Sequence, residues 1–209
     1  TVTIMQGINS FIKKNQKRIV FADGEDENTL KAAIAFKNSK LGIPILVGKE
    51  SKIKEQIRNI GYNENFDIEI INSKDEEKRK KYLKHLFEKL QREQGLLERD
   101  CDRLLRNDRV IWATSMVACG DADGAVTGNT RRFGASLEKI KQVVDVRKGE
   151  IMFGLNMVVH KGRTIFIGDT SVHEYPTSEE LAEIAISTAR VVRLFGFEPK
   201  VAFVSHSTF

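Results

Sequence analysis

Cysteine is scarce: Cys101 and Cys119 are the only two, far apart and outside any Cys-x-x-Cys or Cys/His spacing. Neither a disulfide framework nor a zinc site is indicated, and a reducing cytoplasm is the expected compartment. No apolar run approaches the length of a membrane span, and the opening Thr1-Val-Thr-Ile-Met-Gln lacks the basic-then-apolar order of a signal peptide. Neither Gly-x-Gly-x-x-Gly nor Gly-x-x-x-x-Gly-Lys-Ser/Thr occurs, so dinucleotide-binding and nucleotide-hydrolase readings lose their usual support. Internal repeats and low-complexity stretches are missing too.

What remains is the composition of a soluble globular protein, 209 residues with 41% hydrophobic and 30% charged. The net charge is +5. Basic residues nevertheless interleave with acidic ones, as in Lys74-Asp75-Glu76-Glu77-Lys78-Arg79-Lys80-Lys81. That pattern describes a solvated helix face rather than a nucleic-acid stripe, and the positive excess favours a polyanionic small molecule as partner. No nucleic acid and no membrane is expected as a partner.

Periodicity places helices and strands in alternation. A helix over 4–14 precedes an apolar strand over 18–22, and Glu25 to Glu27 open a helix with Leu30, Ala33 and Ile34 on one face. A strand over 43–47 follows, then a helix capped by Ser51 with Ile53, Ile57 and Ile60 in a stripe, then a strand over 66–71. This order points to a parallel sheet covered on both faces. Tyr82, Leu83, Leu86, Phe87 and Leu90 give a long amphipathic helix over 75–94, closed by Gly95. Helices over 97–106 and 110–119 lead to a short strand over 124–127 and a helix from about Gly134.

The polar break 145–150 marks the expected domain boundary. Beyond it, strands over 151–160 and 164–167 flank Lys161-Gly162 as a hairpin, and Thr177 with Glu180 forms a capping box on a helix ending at Gly196 and Pro199. A last strand is expected over 200–204. The chain begins without Met and stops where a covering helix is due, so it reads as a piece of a longer polypeptide with sequence missing on the C-terminal side.

Three places invite chemistry. Gly128-Asn-Thr-Arg-Arg132 leaves a strand and enters a helix, a geometry offering free N–H groups, a helix dipole and two arginines to an anion. A tight turn needing Gly, with solvated arginines beside it, fits the same residues equally well. Ser205-His206-Ser207-Thr208 at a strand end suits a hydroxyl-lined anion or carbonyl site better than a nucleophile pair, since strand neighbours point to opposite sides and no Gly-x-Ser-x-Gly elbow is present. Asp121, Asp123 and Asp169 have the chemistry of metal ligands or bases, but carboxylates at strand ends more often accept backbone N–H groups.

Several stretches together resemble phosphate acetyltransferases in order along nearly the whole chain. They are Arg18-Ile-Val-Phe-Ala-Asp-Gly-Glu-Asp-Glu27, Gly42-Ile-Pro-Ile-Leu-Val-Gly48, Met116-Val-Ala-Cys-Gly-Asp-Ala-Asp-Gly124, Phe166-Ile-Gly-Asp-Thr-Ser-Val172 and Pro176-Thr-Ser-Glu-Glu-Leu-Ala-Glu-Ile-Ala185. Within that superfamily, Phe66-Asp-Ile-Glu-Ile-Ile-Asn72, Val191-Val-Arg-Leu-Phe-Gly-Phe-Glu-Pro199 and Ser205-His-Ser-Thr-Phe209 resemble the C-terminal domain of bacterial NADP-dependent malic enzymes. Acetyltransferases of this kind carry a lysine where Phe209 stands and an arginine where Glu138 stands, and Arg92 matches another of their arginines only out of register. A carboxylate in place of a phosphate-holding arginine repels the substrate.

The resemblance implies an α/β fold of two α/β/α three-layer domains with a cleft between them, as in isocitrate and isopropylmalate dehydrogenases. The first domain covers 1–146 and the second, 147–209, is truncated. It further implies a regulatory and oligomerising domain of a malic enzyme, the enzyme that oxidatively decarboxylates malate to pyruvate. Acetyl-CoA or a related acyl-CoA would be its allosteric effector, acting by preferring one quaternary state.

No catalytic residue, metal ligand or cofactor of its own is expected in this segment, with NADP and a divalent metal belonging to malic enzyme domains in the same chain. Expected ligand contacts are Gly128, Asn129, Thr130, Arg131 and Arg132 from one side, and Thr170, Ser205, Ser207 and Thr208 from the other. The alternative is a working phosphate acetyltransferase, in which CoA thiolate attacks acetyl phosphate; a purely structural dimerisation module would bind no acetyl-CoA.

Overall fold

The computed structural model describes residues 2–63 and 66–204, with residues 2–6 as backbone alone. The chain divides into two compact units, one of residues 12–145 and one that collects the chain from Val146 onward with the N-terminal segment up to Phe11. Helix α1 (Val2–Lys14) begins the chain.

The unit of 12–145 is built on a four-stranded parallel sheet in the order β3-β2-β1-β4. Its strands are β1 (Lys17–Phe21), β2 (Gly42–Val47), β3 (Glu69–Ile71) and β4 (Gly124–Val126). Strand β1 lies between β2 and β4, with Val20 opposite both Ile45 and Ala125. Successive side chains alternate between faces, so each strand serves two cores. Phe21 and Leu46 pack with Leu30, Ala33 and Ile34 of α2 (Glu27–Asn38) and with Ile53 and Ile57 of α3 (Glu50–Asn59).

Val20, Ala22, Ile45 and Val47 face the other way. They meet α4 (Glu76–Gln94), α5 (Glu98–Asn107), α6 (Arg109–Ala118) and α7 (Phe133–Val143), which contribute Tyr82, Leu86, Leu105, Trp112, Met116 and Val143. Near-continuous apolar strands are therefore required, and 18–22 and 43–47 supply them.

Capping sets where the helices start. Asp26 accepts from Thr29 N at 2.9 Å, Asp75 from Lys78 N at 3.1 Å, and Asp108 from Val110 N at 2.9 Å and Ile111 N at 3.2 Å. Gly95, left-handed at φ 65°, ends α4 as expected. Tyr82 packs edge-on against Trp112 at 5.1 Å while its hydroxyl donates to Asp121 at 2.7 Å. Burial, and then the Asp121 carboxylate, push the Tyr82 phenol far above its ordinary range.

The other unit holds an antiparallel hairpin, β5 (Leu155–His160) with β6 (Arg163–Gly168), and helix α8 (Ser178–Leu194). Lys161 and Gly162 turn the hairpin at φ 45° and 77°, the pair of positive values that matches the twist of the strands. The capping box at α8 is complete, Glu180 N donating to Thr177 Oγ1 and Thr177 N to Glu180 Oε2.

Four expectations are corrected. Residues 200–204 form no strand, because among the described residues nothing pairs with them, and Val201, Phe203 and Val204 are exposed. Strand β5 starts at Leu155 rather than at 151, and β3 at Glu69 rather than at 66, each confined to the span that has a hydrogen-bonded neighbour. Ser51 is not a cap: α3 begins at Glu50 with Lys49 before it and no side-chain bond there. Lys89 shares the buried face of α4 with Tyr82 and Leu86, and Asp145 and Glu93 supply its countercharge.

In urea unfolding, Tyr82→Ala is expected to cost about 3–5 kcal/mol through the cavity beside Trp112. Tyr82→Phe should cost only about 1 kcal/mol, since Lys81 remains on Asp121. Equal losses would mean that the hydroxyl, not the ring, anchors α4.

Candidate functional site

All parallel strands deliver their carboxyl ends to one edge, and there the turn after β1 (22–26) meets the turn after β4 (127–132). Ala22 N reaches Val126 O at 3.0 Å, which sets the two turns side by side. Three carboxylates then fasten the second turn. Asn129 Nδ2 donates to Asp26 Oδ1 at 2.5 Å, Thr130 Oγ1 to Asp23 Oδ1 at 2.6 Å, and Arg131 Nη1 to Asp108 Oδ2 at 2.7 Å. Gly128, at φ 106°, turns the chain into this arrangement.

Each carboxylate has donors of its own where it stands. Asp23 is 3% exposed, so the Thr130 hydroxyl offsets a burial that would otherwise be costly. Asp26 is held below its ordinary range first by the Thr29 backbone N–H, with the Thr29 hydroxyl and the Asn129 amide adding to it. Beside them, burial pushes the Glu25 carboxyl up, but the Lys49 N–H and the charges of Arg109 and Lys52 outweigh it and the net shift is downward. Glu25 pairs with Lys52 and Arg109 and Asp108 with Arg131, whereas Asp23 and Asp26 accept from neutral donors.

Arg132 is exposed and precedes α7, and among the described residues its side chain makes no hydrogen bond or ion pair. Arg131 gives only one nitrogen to Asp108 and keeps the rest of its five N–H donors. The edge can thus offer an incoming anion the Arg132 guanidinium and most of the Arg131 guanidinium.

A second polar cluster lies in the other unit, after β6. Asp169, joined to Gly168 by a cis peptide bond, accepts from the backbone N–H of Gly154, Ser171, Val172 and His173 at 2.9 to 3.1 Å, and pairs with His173 Nδ1 at 2.9 Å. Gly154 is needed here, since a Cβ would stand 2.6 Å from Ser171 Oγ and 2.7 Å from Asp169 Oδ1. Burial works against ionisation, but those N–H groups and His173 win, drawing the Asp169 carboxyl down to about 2.

Of the two readings open for the strand-end aspartates, the structure displays acceptance from protein donors: Asp123 takes Arg18 N and Lys17 Nζ, and Asp121 takes Lys81 Nζ and Tyr82 Oη. Among the described residues no group of three or more His, Cys, Asp or Glu could hold a metal ion.

The structure brings Gly128, Asn129, Thr130, Arg131 and Arg132 together as one turn in the unit of 12–145. Thr170 belongs to the other unit, exposed and accepting from Asn156 Nδ2 at 2.5 Å. Ser205, Ser207 and Thr208 lie outside the described residues, as do His206 and Phe209. Glu138 sits on the exposed side of α7, away from buried Ser136, with an ion pair to Lys141 at 3.8 Å. It takes no part in the hydrogen bonds of the turn.

Sequence reading missed Asp23, Asp26 and Asp108 as the holders of this turn. The signal that could find Asp108 is its place before the apolar run of α6, but a cap needs only one oxygen, and nothing in the spacing says where the other points.

An open parallel sheet with helices on both faces, carrying an amide, a hydroxyl and guanidinium groups at its carboxyl edge, defines the class: an α/β domain. The chain belongs to the phosphate acetyl/butaryl transferase family, whose pattern it matches over residues 3–209. It is 39% identical over 206 residues to an NADP-dependent malic enzyme of Rhizobium meliloti, covering 98% of this chain and 27% of that protein.

Identity to a phosphate acetyltransferase of Nitratidesulfovibrio vulgaris is 30% over 197 residues, 94% of this chain and 28% of that one. The crystal structure of a phosphotransacetylase from Streptococcus pyogenes superposes with a TM-score of 0.86 at 26% identity, over 99% of this chain and 62% of that one. The chain thus spans little more than a quarter of these two curated relatives' lengths. No helix among the described residues is long and apolar enough to cross a membrane.

Because the folded pKa of Asp169 lies below its ordinary 3.8, its stabilisation is complete above that value and is lost as the pH falls through about 2. The contribution is about 2 kcal/mol. Acid titration followed by amide exchange at 171–173 should show protection falling through this window. Asp169→Asn should lack that transition; an unchanged transition in the variant would assign it to another group.

Proposed function

We propose that this chain is the phosphate acetyltransferase-like, regulatory and oligomerising part of an NADP-dependent malic enzyme, and that it binds acetyl-CoA as an allosteric effector. One observation carries the reading: nearly the whole chain aligns at 39% identity with about a quarter of a malic enzyme. A segment of that size, lacking a nucleotide fingerprint of its own, fits a module attached to catalytic domains that hold NADP and a divalent metal.

The turn at 128–132 supports an anionic effector. Its Asn129, Thr130 and Arg131 side chains are held by Asp26, Asp23 and Asp108, while Arg131 and Arg132 keep N–H donors for phosphate. Acyl-CoA carries phosphate groups at one end and a thioester at the other, so phosphate recognition of this type would orient it. Acetyl-CoA must then bind one quaternary state more tightly than another to regulate turnover.

Glu138 stands where the resemblance expects an arginine, which favours a site without acetyl transfer. Its place on the exposed side of α7 makes that support weaker than repulsion inside the turn would be. A working acetyltransferase is the second reading, favoured by the 30% identity to a phosphate acetyltransferase.

The test uses the full chain. Acetyl-CoA should lower malate-dependent NADP reduction, and Arg131→Ala with Arg132→Ala should raise the acetyl-CoA concentration required about tenfold or more, the loss of one or two charge-assisted bonds. Acetyl-CoA and inorganic phosphate should give no acetyl phosphate trapped by hydroxylamine. Robust trapping would instead establish the transferase, and insensitivity to acetyl-CoA would remove the effector.

A further inference from the structure

Asp108 occupies an unusual junction. It ends α5, starts α6 and touches the turn after β4, and its two oxygens go to different partners. Oδ1 caps α6 through Val110 N and Ile111 N, and Oδ2 accepts from Arg131 Nη1 at 2.7 Å. Its side chain is 12% exposed against 34% for Arg131, so an anion approaching from solvent meets the guanidinium before the carboxylate.

Capping would be served as well by a serine or an asparagine. An aspartate additionally fixes the head of a long side chain that otherwise samples many rotamers. The bond uses a single guanidinium nitrogen, so fixing it does not exhaust it.

We propose that Asp108 is a positioning residue for the effector site: it holds the Arg131 guanidinium in the orientation that receives a phosphate group of acetyl-CoA. This rests on the reading that Arg131 contacts the effector. Asp108 does not itself touch the ligand and acts only through Arg131. Positioning of this kind raises affinity by removing the ordering that would otherwise accompany binding.

Two substitutions separate the roles. Asp108→Ser keeps a short side-chain acceptor for the cap but cannot pair with Arg131, whereas Asp108→Glu keeps the carboxylate but places it poorly for capping. Acetyl-CoA binding to the full chain is measured by calorimetry at fixed ionic strength, and Tm is measured on the same samples, with Arg131→Ala as reference.

Positioning predicts opposite orders: affinity higher in Asp108→Glu than in Asp108→Ser, and Tm higher in Asp108→Ser than in Asp108→Glu. The loss in Asp108→Ser should be about fivefold, close to one charge-assisted bond's worth of orientation. A cap with no further role would move affinity and Tm together, and that result overturns the proposal. So does tighter binding in Asp108→Ser, which would mean that the carboxylate repels the ligand. If Arg131→Ala binds acetyl-CoA normally, positioning through Arg131 is excluded while the effector reading stands. If the unsubstituted chain does not bind acetyl-CoA, the effector reading itself fails.

Discussion

The pairing of Ala22 N with Val126 O, beside the ladder of β1 with β4, is the contact on which the carboxyl edge depends. It places the turn after the central strand against the turn after the edge strand, although a hundred residues of chain separate them. Only then can Asp23 and Asp26 reach Thr130 and Asn129. The alternating apolar residues of β1 and β2, packed on two faces, hold that pairing in place. Core packing and the geometry of the carboxyl edge are thus one problem solved by the same strands.

Electrostatics at this edge are balanced rather than strongly positive. Glu25, Asp23, Asp26 and Asp108 stand among Lys52, Arg109, Arg131 and Arg132, most of them paired. A net charge of +5 over the chain therefore says little about this place. Donors are few, but the Asn129 amide, the Thr130 hydroxyl and the Arg131 guanidinium are each held by a carboxylate. The paired aspartates before β4 and after β6 follow the same pattern, with Asp169 fully occupied by N–H groups of its own loop.

Much of the fold was legible in the sequence. Apolar runs at 18–22 and 43–47, the helical stripes, Gly95 and the Thr177–Glu180 capping box all encode local preferences that tertiary packing confirms. What failed were elements whose existence depends on a partner, since the ladder alone makes 200–204 a strand and none forms among the described residues. The turn 128–132 was recognisable from Gly128 and its two arginines. Its fastening was not, because Asp23, Asp26 and Asp108 each satisfy a local rule and spend their remaining capacity on a contact far away in sequence. Buried Lys89 has the same explanation, its countercharge at Asp145 lying just past the end of α7.

Membership of the phosphate acetyl/butaryl transferase family and the likeness to malic enzymes leave the chemistry of the segment to its own residues. The proposed account makes the turn at 128–132 a preformed seat for the phosphate end of acetyl-CoA in a domain that regulates rather than transfers. Hydrogen exchange of the full chain with and without acetyl-CoA tests this most directly. The account predicts slowed amide exchange at 128–135 on adding acetyl-CoA; protection confined to other parts of the chain, or none at all, would contradict it.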